Sequence, residues 1–469
     1  MTTTSAEASV SPSEGFGSNG YRGYVLGALL LAYILNFIDR VIIAYLSKPI
    51  IEEFGLAYWQ FGLLSGIAFA TFYTFLGIPI ARLAEHFNRV WIIGVSIIFW
   101  SIMTALCGLA TSFIMLLIFR LGVGVGEAGL TPPANSLIAD YFKPKSRPVA
   151  LAIYSTGITI GSLCAALFVA LLLGVVTWRE TFIAIGLCGI PVGVIFLLTV
   201  KEPPRGYTDP PGTVKPKPPG ILEVAKSLST NPTFWHITIG STLASFIGYG
   251  LLTFSVEFLT GTFKMSVQDV ALRYLVPLSV TGAIGTWMCG ALATRFGGLS
   301  LMWLPAIALP TAMIFHLLAL NIPVPTIVFL TLIVANLAQY FYLGPMYAVS
   351  GAVVNTRSRA TAIAILLFVV NLIGYGLGPL FTGAVGDYMI ATQLAAIPEL
   401  DLATCTAGLE ALGETAKAQC AEAKAWGIRR SMSITVLFFL WAAVHFYLAM
   451  KTYAKDAANA TGPAEGATT

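Results

Sequence analysis

Residues 119–142 read FRLGVGVGEAGLTPPANSLIADYF, and within them 124-GVGEAG-129 fits the dinucleotide-binding pattern G-x-G-x-x-G. That function requires a buried strand before the glycines, an α/β unit around them and an acidic residue about 20 positions further on. The stretch lies instead in a continuous apolar run that starts near Ser112. The glycines therefore predict a small-residue helix face, which lets membrane helices pack closely, formed by Gly122, Gly124, Gly126 and Gly129.

The composition is that of a membrane protein. Of the 469 residues, 57% are hydrophobic and 10% are charged, whereas soluble domains carry about 25% charged residues. Apolar runs long enough to cross a hydrocarbon core of ~30 Å recur without strict alternation, which indicates helices. We predict an all-α membrane protein with twelve transmembrane helices, at 22–46, 59–83, 90–110, 112–140, 147–177, 179–200, 233–263, 270–294, 299–321, 324–353, 359–387 and 431–452.

The basic residues predict the orientation of the chain. Twelve spans put both termini on one side. If that side is cytoplasmic, sixteen Lys and Arg residues fall in inner segments and eight in outer segments. The positive-inside rule then places both termini in the cytoplasm, in a plasma membrane or bacterial inner membrane.

The chain divides in the middle at 201-KEPPRGYTDPPGTVKPKPPG-220, a charged and proline-rich stretch typical of a linker. The loops 81-ARLAEHFNR-89 and 290-GALATRFGG-298 share x-x-L-A-x-x-F at equivalent places in the two halves, which indicates an internal repeat. We expect two six-helix bundles related by a pseudo-twofold axis. The predicted segments are a disordered tail at 1–20, a bundle at 21–200, a cytoplasmic linker with an amphipathic helix at 201–232, a bundle at 233–454 with an external loop at 388–430, and a disordered tail at 455–469.

Cys405 and Cys420 share the external loop, where an oxidising compartment permits a disulfide, so we predict a structural bond between them. The four histidines are scattered without metal-ligand spacing, so we assign them no chemistry and predict no metal site and no cofactor. No nucleophile–base pair is visible, which argues against an enzyme.

Two charged residues, Arg120 and Glu127, lie in the fourth predicted helix. They are seven residues apart, about 10.5 Å along one helix face. A charge at the bilayer centre costs about 2.5–3.5 kcal/mol, so both must face a polar cavity or partners. The first helix supplies candidate partners in 33-YILNFIDRVII-43, namely Asn36, Asp39 and Arg40.

Depth along the helices predicts which of these residues meet. Asp39 and Arg120 both lie ~11 Å from the outer side, so we expect them to pair. Glu127 lies ~22 Å deep with no cation at its level, and burial penalises its charged form, so it is the better proton acceptor. A purely structural ion-pair network is the alternative interpretation. Glu257 and Asp387 lie near outer helix ends, where we expect them to be solvated.

The loop 81-ARLAEHFNRV-90 resembles the signature that follows helix 2 in the major facilitator superfamily, G-x-L-A-D-R-x-G-R-K/R. It retains a carboxylate at Glu85 and a base at Arg89. In that family the loop closes the cytoplasmic side when the cavity opens outward. The resemblance therefore implies gating roles for Glu85 and Arg89, and for Arg295 in the second copy of the loop.

Two further motifs resemble the spinster-type branch of that superfamily: N-x-x-D-R at Asn36–Arg40 and R-x-x-V-G-x-G-E-A at Arg120–Ala128. Spinster-like proteins are associated with export of lysolipids and sphingosine 1-phosphate, coupled to protons in some members. The resemblance implies a secondary active transporter that moves an amphipathic anionic substrate by alternating access.

The charged first half and the polar second half suggest how the roles divide. We expect Asp39 and Glu127 to couple protons, and Asn36, Arg40 and Arg120 to bind an anionic headgroup. The second half offers substrate-binding candidates whose alternative role is interhelical hydrogen bonding: Tyr249, Asn336, Gln339, Asn371 and Tyr375.

Other functions stay open at this point. Organic-anion:proton symporters also carry the Asp-Arg pair, and the same cavity would serve an uncoupled facilitator or scramblase, or a receptor or scaffold. The expected partners are membrane lipids, an amphipathic anionic small molecule and protons. We expect a monomer and no nucleic-acid partner, because loop bias accounts for the formal charge of +4.

Overall fold

The computed structural model of the chain describes residues 15–208, 220–355 and 357–461. These residues form helices and connecting turns, which confirms the predicted all-α membrane fold. Twelve helical spans, numbered below in chain order, are long and apolar enough to cross a membrane: Asn19–Tyr45, Tyr58–His86, Arg89–Gly108, Phe113–Tyr141, Arg147–Leu172, Trp178–Thr199, Pro232–Phe263, Val267–Phe296, Ser300–Asn321, Pro325–Ala352, Arg359–Leu394 and Glu414–Ala460.

Several spans are interrupted, some by a short turn between two α-helices and some by a change of helix type, which often marks a kink or a functional site. Two α-helices make up span 2 (Tyr58–Ser65 and Ile67–His86), span 4 (Phe113–Glu127 and Thr131–Tyr141), span 5 (Arg147–Ser155 and Gly157–Leu172) and span 12 (Glu414–Val436 and Phe438–Thr461). A π-helix lies within span 8 (Val267–Val270, the π-helix Ala271–Leu275 and Val276–Phe296) and within span 11 (Arg359–Val369, the π-helix Val370–Tyr375 and Gly376–Leu394). A 3₁₀-helix lies within span 10 (Pro325–Gln339, the 3₁₀-helix Tyr340–Tyr342 and Leu343–Ala352). The shorter helices outside the spans are Ser47–Phe54, Ile221–Leu228, Leu402–Thr406 and the 3₁₀-helix Leu409–Ala411.

Local sequence fixes where several spans begin. The first N–H groups of a helix lack partners within it, and a side-chain acceptor at the N-cap satisfies them. The Ser112 hydroxyl accepts the N–H of Met115 at 3.3 Å before span 4. The Asn88 side chain accepts the N–H of Trp91 at 3.0 Å before span 3. The predicted starts of these two spans, residues 90 and 112, lie within one residue of the observed starts.

The predicted small-residue face of span 4 is confirmed. A Cβ added at Gly124 would lie 2.8 Å from the carbonyl oxygen of Phe69 in span 2. One added at Gly126 would lie 2.7 Å from the Trp100 side chain in span 3. The glycines therefore allow span 4 to pack closely against two neighbours in the same half.

The two halves meet mainly at the end of the molecule opposite the chain termini, called the outer end below after the predicted orientation. Helix Tyr58–Ser65 of span 2 packs along helix Gly376–Leu394 of span 11, and helix Gly157–Leu172 of span 5 packs against the start of span 8. At the opposite end of span 2, on the side of the chain termini, Glu85 is exposed. The two halves are thus closed together at the outer end.

Segment 388–430, predicted to be an external loop, is more helical than predicted. Span 11 continues to Leu394 and span 12 begins at Glu414, so both helices are longer than the predicted spans 359–387 and 431–452. Cys405 and Cys420, the two cysteines predicted to pair, form a disulfide with their Cα atoms 5.3 Å apart. Ala407 beside it packs against Gly55 of the first half. The Thr404 side chain and N–H donate to Asp401, which lowers the pKa of that carboxyl.

The linker and tails are only partly described. The predicted amphipathic helix is present as Ile221–Leu228, and its Val224 and Leu228 are buried whereas Leu222 is exposed. The last helix continues to Thr461, into the segment 455–469 expected to be a tail. Phe16, in the expected tail 1–20, packs its ring edge against Tyr141. Most of the two tails and the middle of the linker, residues 1–14, 209–219 and 462–469, lie outside the described residues.

Candidate functional site

A cluster of buried charged residues lies between spans 1 and 4. Arg40 donates to the Glu127 carboxylate at 2.9 Å, and Glu127 is fully buried. Desolvating two charges is expensive, so removing one partner of a buried pair typically costs about 3–5 kcal/mol. Burial of either charge therefore destabilises the protein unless the other residue of the pair is charged as well.

This pairing corrects the prediction that Glu127 has no cation at its level. The estimate counted about 1.5 Å per residue along straight, upright helices. It allowed neither for helix tilt nor for the reach of the long arginine side chain, so it did not bring Arg40 and Glu127 to one level.

Asp39 and Arg120 are neighbours, as expected, but the hydrogen bond between them is a different one. Arg120 donates to the backbone carbonyl of Asp39 at 3.1 Å, not to its carboxylate. The Asp39 carboxylate lies beside Trp100 and Thr104 of span 3. Among the described residues, the Oδ1 atom of Asp39 has no hydrogen-bond partner. The Oδ1 and Nδ2 atoms of the Asn36 side chain have none there either.

Aromatic rings surround the Arg40 guanidinium. Its central carbon lies 4.5 Å from the ring centroid of Tyr73, 4.9 Å from Phe37 and 5.1 Å from Phe69. A fourth ring, Tyr375 at 5.9 Å, belongs to the second half. Aromatic faces attract cations, most strongly where water is excluded. Arg40 was evident from the sequence as a candidate, whereas the rings of Phe37, Phe69 and Tyr73 were not, because an aromatic residue in an apolar helix carries no signal of its contacts.

The second half contributes a tyrosine pair to this cluster. The rings of Tyr249 and Tyr375 are 4.3 Å apart, and Tyr375 ends the π-helix of span 11. Gln339 is buried, and its Oε1 atom has no hydrogen-bond partner among the described residues. Asn371 lies half-buried in the same π-helix.

Asn336, also expected at the substrate site, is engaged within its own half. Its amide donates to the Leu278 carbonyl at 2.8 Å and to the Thr281 hydroxyl at 2.9 Å. Both acceptors belong to span 8. This geometry is the interhelical hydrogen bonding that the sequence analysis kept as the alternative.

The expected gating residues differ in their surroundings. Arg89 is buried and pairs with Asp140 at 2.5 Å and Glu202 at 2.6 Å, which joins the ends of spans 3, 4 and 6 that lie on the side of the chain termini. Glu85 and Arg295 are exposed. The contacts of Arg89 thus lie within the first half.

One expectation about the other polar residues is wrong: Asp387, expected to be solvated, is buried and accepts hydrogen bonds from span 2. Glu257, the other carboxylate expected to be solvated, is half-buried, and one of its oxygens is buried. His236 and His445, which were assigned no chemistry, bring their Nδ1 atoms within 3.0 Å of each other. They lie 209 positions apart in the chain, so spacing offered no signal. Within the described part of the chain, no group of three or more His, Cys, Asp or Glu residues could hold a metal ion.

Comparison with known proteins agrees with this architecture. The sequence pattern of the Major Facilitator Superfamily matches residues 29–387, so the chain belongs to that family of membrane transporters. Its structure is similar, with a TM-score of 0.86 and 42% identity, to a bacterial homologue of the human lysosomal transporter spinster in an inward-facing, unoccupied conformation. That similarity covers 94% of this chain and 99% of the other. The protein is a transporter of the spinster type.

More distant relatives differ in what they transport. An MFS-type efflux pump of Mycolicibacterium smegmatis is 29% identical over 77% of this chain and 84% of its own length. The sphingosine-1-phosphate transporter SPNS2 of Danio rerio is 27% identical over 53% of this chain and 47% of its own length, so the match spans about half of that relative. Further bacterial relatives carry the names of L-galactonate, hexuronate and sulfoacetate transporters.

Proposed function

We propose that the protein moves an amphipathic anionic substrate, such as a lysolipid or sphingosine 1-phosphate, across the membrane by proton-coupled alternating access. The observation that carries the proposal is the buried Arg40–Glu127 ion pair between spans 1 and 4. The likeness to a spinster homologue and to a sphingosine-1-phosphate transporter supports the choice of substrate.

The chemistry of the cluster suits proton coupling. Glu127 holds the Arg40 cation, so protonating Glu127 releases that cation to bind an anionic headgroup. Asp39 has an oxygen without a hydrogen-bond partner in the described structure, and it is the second proton carrier in this proposal. The aromatic rings around Arg40 supply apolar surface for the part of the substrate next to its charge.

A small organic anion is the second candidate substrate. Arg40 and Arg120 would bind a carboxylate as readily as a phosphate, and several relatives carry the names of organic-acid transporters. An uncoupled facilitator or scramblase would use the same cluster without protons.

Competition in proteoliposomes separates the candidates. We expect flux of labelled sphingosine 1-phosphate or lysophospholipid that unlabelled lysolipid inhibits and an excess of galactonate does not. Galactonate flux with no lipid flux would reject the lipid substrate and favour the organic anion. Lipid flux of equal rate with and without a pH gradient would indicate an uncoupled facilitator.

We also propose that both termini face the cytoplasm, because basic residues concentrate in the inner segments. Val175 is 84% exposed in an outer segment, and Lys226 lies in the inner linker helix. With Cys164 and Cys188 replaced by alanine, an impermeant thiol reagent added to intact cells should label Val175→Cys but not Lys226→Cys. The reverse pattern would overturn the orientation.

A further inference from the structure

Asp387, near the outer end of span 11, binds the first turn of a helix in the other half. Its Oδ1 atom accepts the N–H of Tyr58 at 3.0 Å, and its Oδ2 atom accepts the N–H of Trp59 at 2.8 Å. Only 6% of Asp387 is exposed. Both oxygens of one buried carboxylate are therefore used across the interface between the halves.

The helix that receives this carboxylate has no local side-chain acceptor for the N–H groups of Tyr58 and Trp59, although the Gln60 side chain accepts the N–H of Ala57 at 2.9 Å. Helix Tyr58–Ser65 has Ala57 at its N-cap, and alanine has no side-chain acceptor for the N–H groups of the first turn. A negative charge is favoured at a helix N-terminus, where the free N–H groups and the helix dipole are both positive. Asp387 thus supplies from the second half what the local sequence of the first half lacks.

Close packing below Asp387 reinforces the contact. Gly62 of span 2 lies against the backbone of Pro379, Gly66 lies against that of Gly376, and Gly383 lies against that of Tyr58. The outer parts of spans 2 and 11 approach closely enough to exclude water from the carboxylate. Charge-assisted hydrogen bonds in such surroundings are about twice as strong as neutral ones.

We propose that Asp387 is an outer latch: it holds the external side closed by capping helix Tyr58–Ser65, and the protein opens outward only when this cap is released. Opening the outer side separates spans 2 and 11, so both hydrogen bonds break and water replaces the carboxylate at Tyr58 and Trp59. The latch acts on the balance between conformations and does not bind substrate.

The test measures that balance by distances between spin labels. Thr111 and Asn321 are exposed residues on the outer side of the two halves, and labels there report the width of the outer opening. Cys164 and Cys188 are replaced by alanine in every variant. The compared proteins are the parent, Asp387→Ala, Asp387→Asn and the control Asp269→Ala, which removes an outer carboxylate bonded to Ser266 and Arg273 of its own half.

We expect Asp387→Ala to raise the ratio of outward-open to outward-closed molecules about tenfold, because the closed state loses both hydrogen bonds and water replaces them only in part. Asp387→Asn should raise the ratio less, because its amide oxygen still accepts one of the two hydrogen bonds. If Asp387→Ala does not fold, the distances in Asp387→Asn test the proposal. Unchanged distances in the Asp387 variants, or an equal change in Asp269→Ala, would overturn the proposal. The measurement uses neither substrate nor a pH gradient, so its outcome is independent of the proposed transport activity.

Discussion

At the scale of single residues, Arg40 is where the two halves and the two charged helices come together. It pairs with Glu127 of span 4, and its guanidinium lies near Tyr375 of span 11. A change in the charge of Glu127 therefore changes the strength of its ion pair with Arg40, whose guanidinium also lies near a ring of the second half. Protonation of Glu127 can thus affect the interface between the two halves.

The ion pair can be tested by a double-mutant comparison. Arg40→Ala leaves Glu127 buried without its cation, a change that typically costs about 3–5 kcal/mol. We expect a large fall in thermal stability for Arg40→Ala and a smaller fall for Arg40→Ala combined with Glu127→Gln, because the glutamine carries no charge. Melting temperatures in detergent measure both. A double variant no more stable than Arg40→Ala would show that the charge of Glu127 is not what destabilises the single variant.

The sequence identified the residues of this cluster but not their pairing. Charged residues in apolar runs are rare, so Asp39, Arg120 and Glu127 were evident as candidates. Their partners depend on where helices end and how they are aligned. Depths counted along straight helices did not bring Arg40 to the level of Glu127, because they ignore helix tilt and the reach of the arginine side chain.

At the scale of helices, the contact between spans 2 and 11 depends on glycine. A methyl group at Gly62 would collide with the backbone of Pro379, which cannot rotate away as a side chain could. Overpacking of this kind typically costs about 1–3 kcal/mol.

We therefore expect Gly62→Ala to lower the melting temperature and to widen the outer opening between labels at positions 111 and 321. Gly77→Ala is the matched control, since Gly77 lies in the same span and a Cβ there meets nothing within 4 Å. Equal melting temperatures and equal label distances in Gly62→Ala and Gly77→Ala would show that the contact between spans 2 and 11 does not depend on Gly62.

The external disulfide stabilises a local element. It closes a loop of sequence separation 15, for which loop entropy predicts a stabilisation of about 3 kcal/mol. We expect replacement of Cys405 and Cys420 by serine to speed proteolysis and hydrogen exchange in segment 395–420. Exchange in span 4 should stay unchanged. Protection of the loop equal to that of the parent protein would show that the packing of Ala407 on Gly55 is sufficient without the bond.

At the scale of the whole molecule, the twelve spans were predictable because each apolar run carries its own signal of length and composition. The side on which the two halves are closed together could not be predicted from the sequence. A transporter sequence must permit both open states, which differ by only a few kcal/mol, so no run of residues specifies one of them. Asp387 illustrates the difficulty, since its role depends on an interface formed in one state.

The most direct test of proton-coupled transport is lipid flux in proteoliposomes under an imposed pH gradient, comparing the parent protein with Glu127→Gln. Glu223→Gln, an exposed substitution of the same chemistry, is the control. We predict that the gradient accelerates sphingosine 1-phosphate flux in the parent and the control, and that Glu127→Gln transports at one rate with or without it. Gradient-stimulated flux that persists in Glu127→Gln would contradict the role assigned to the Arg40–Glu127 pair.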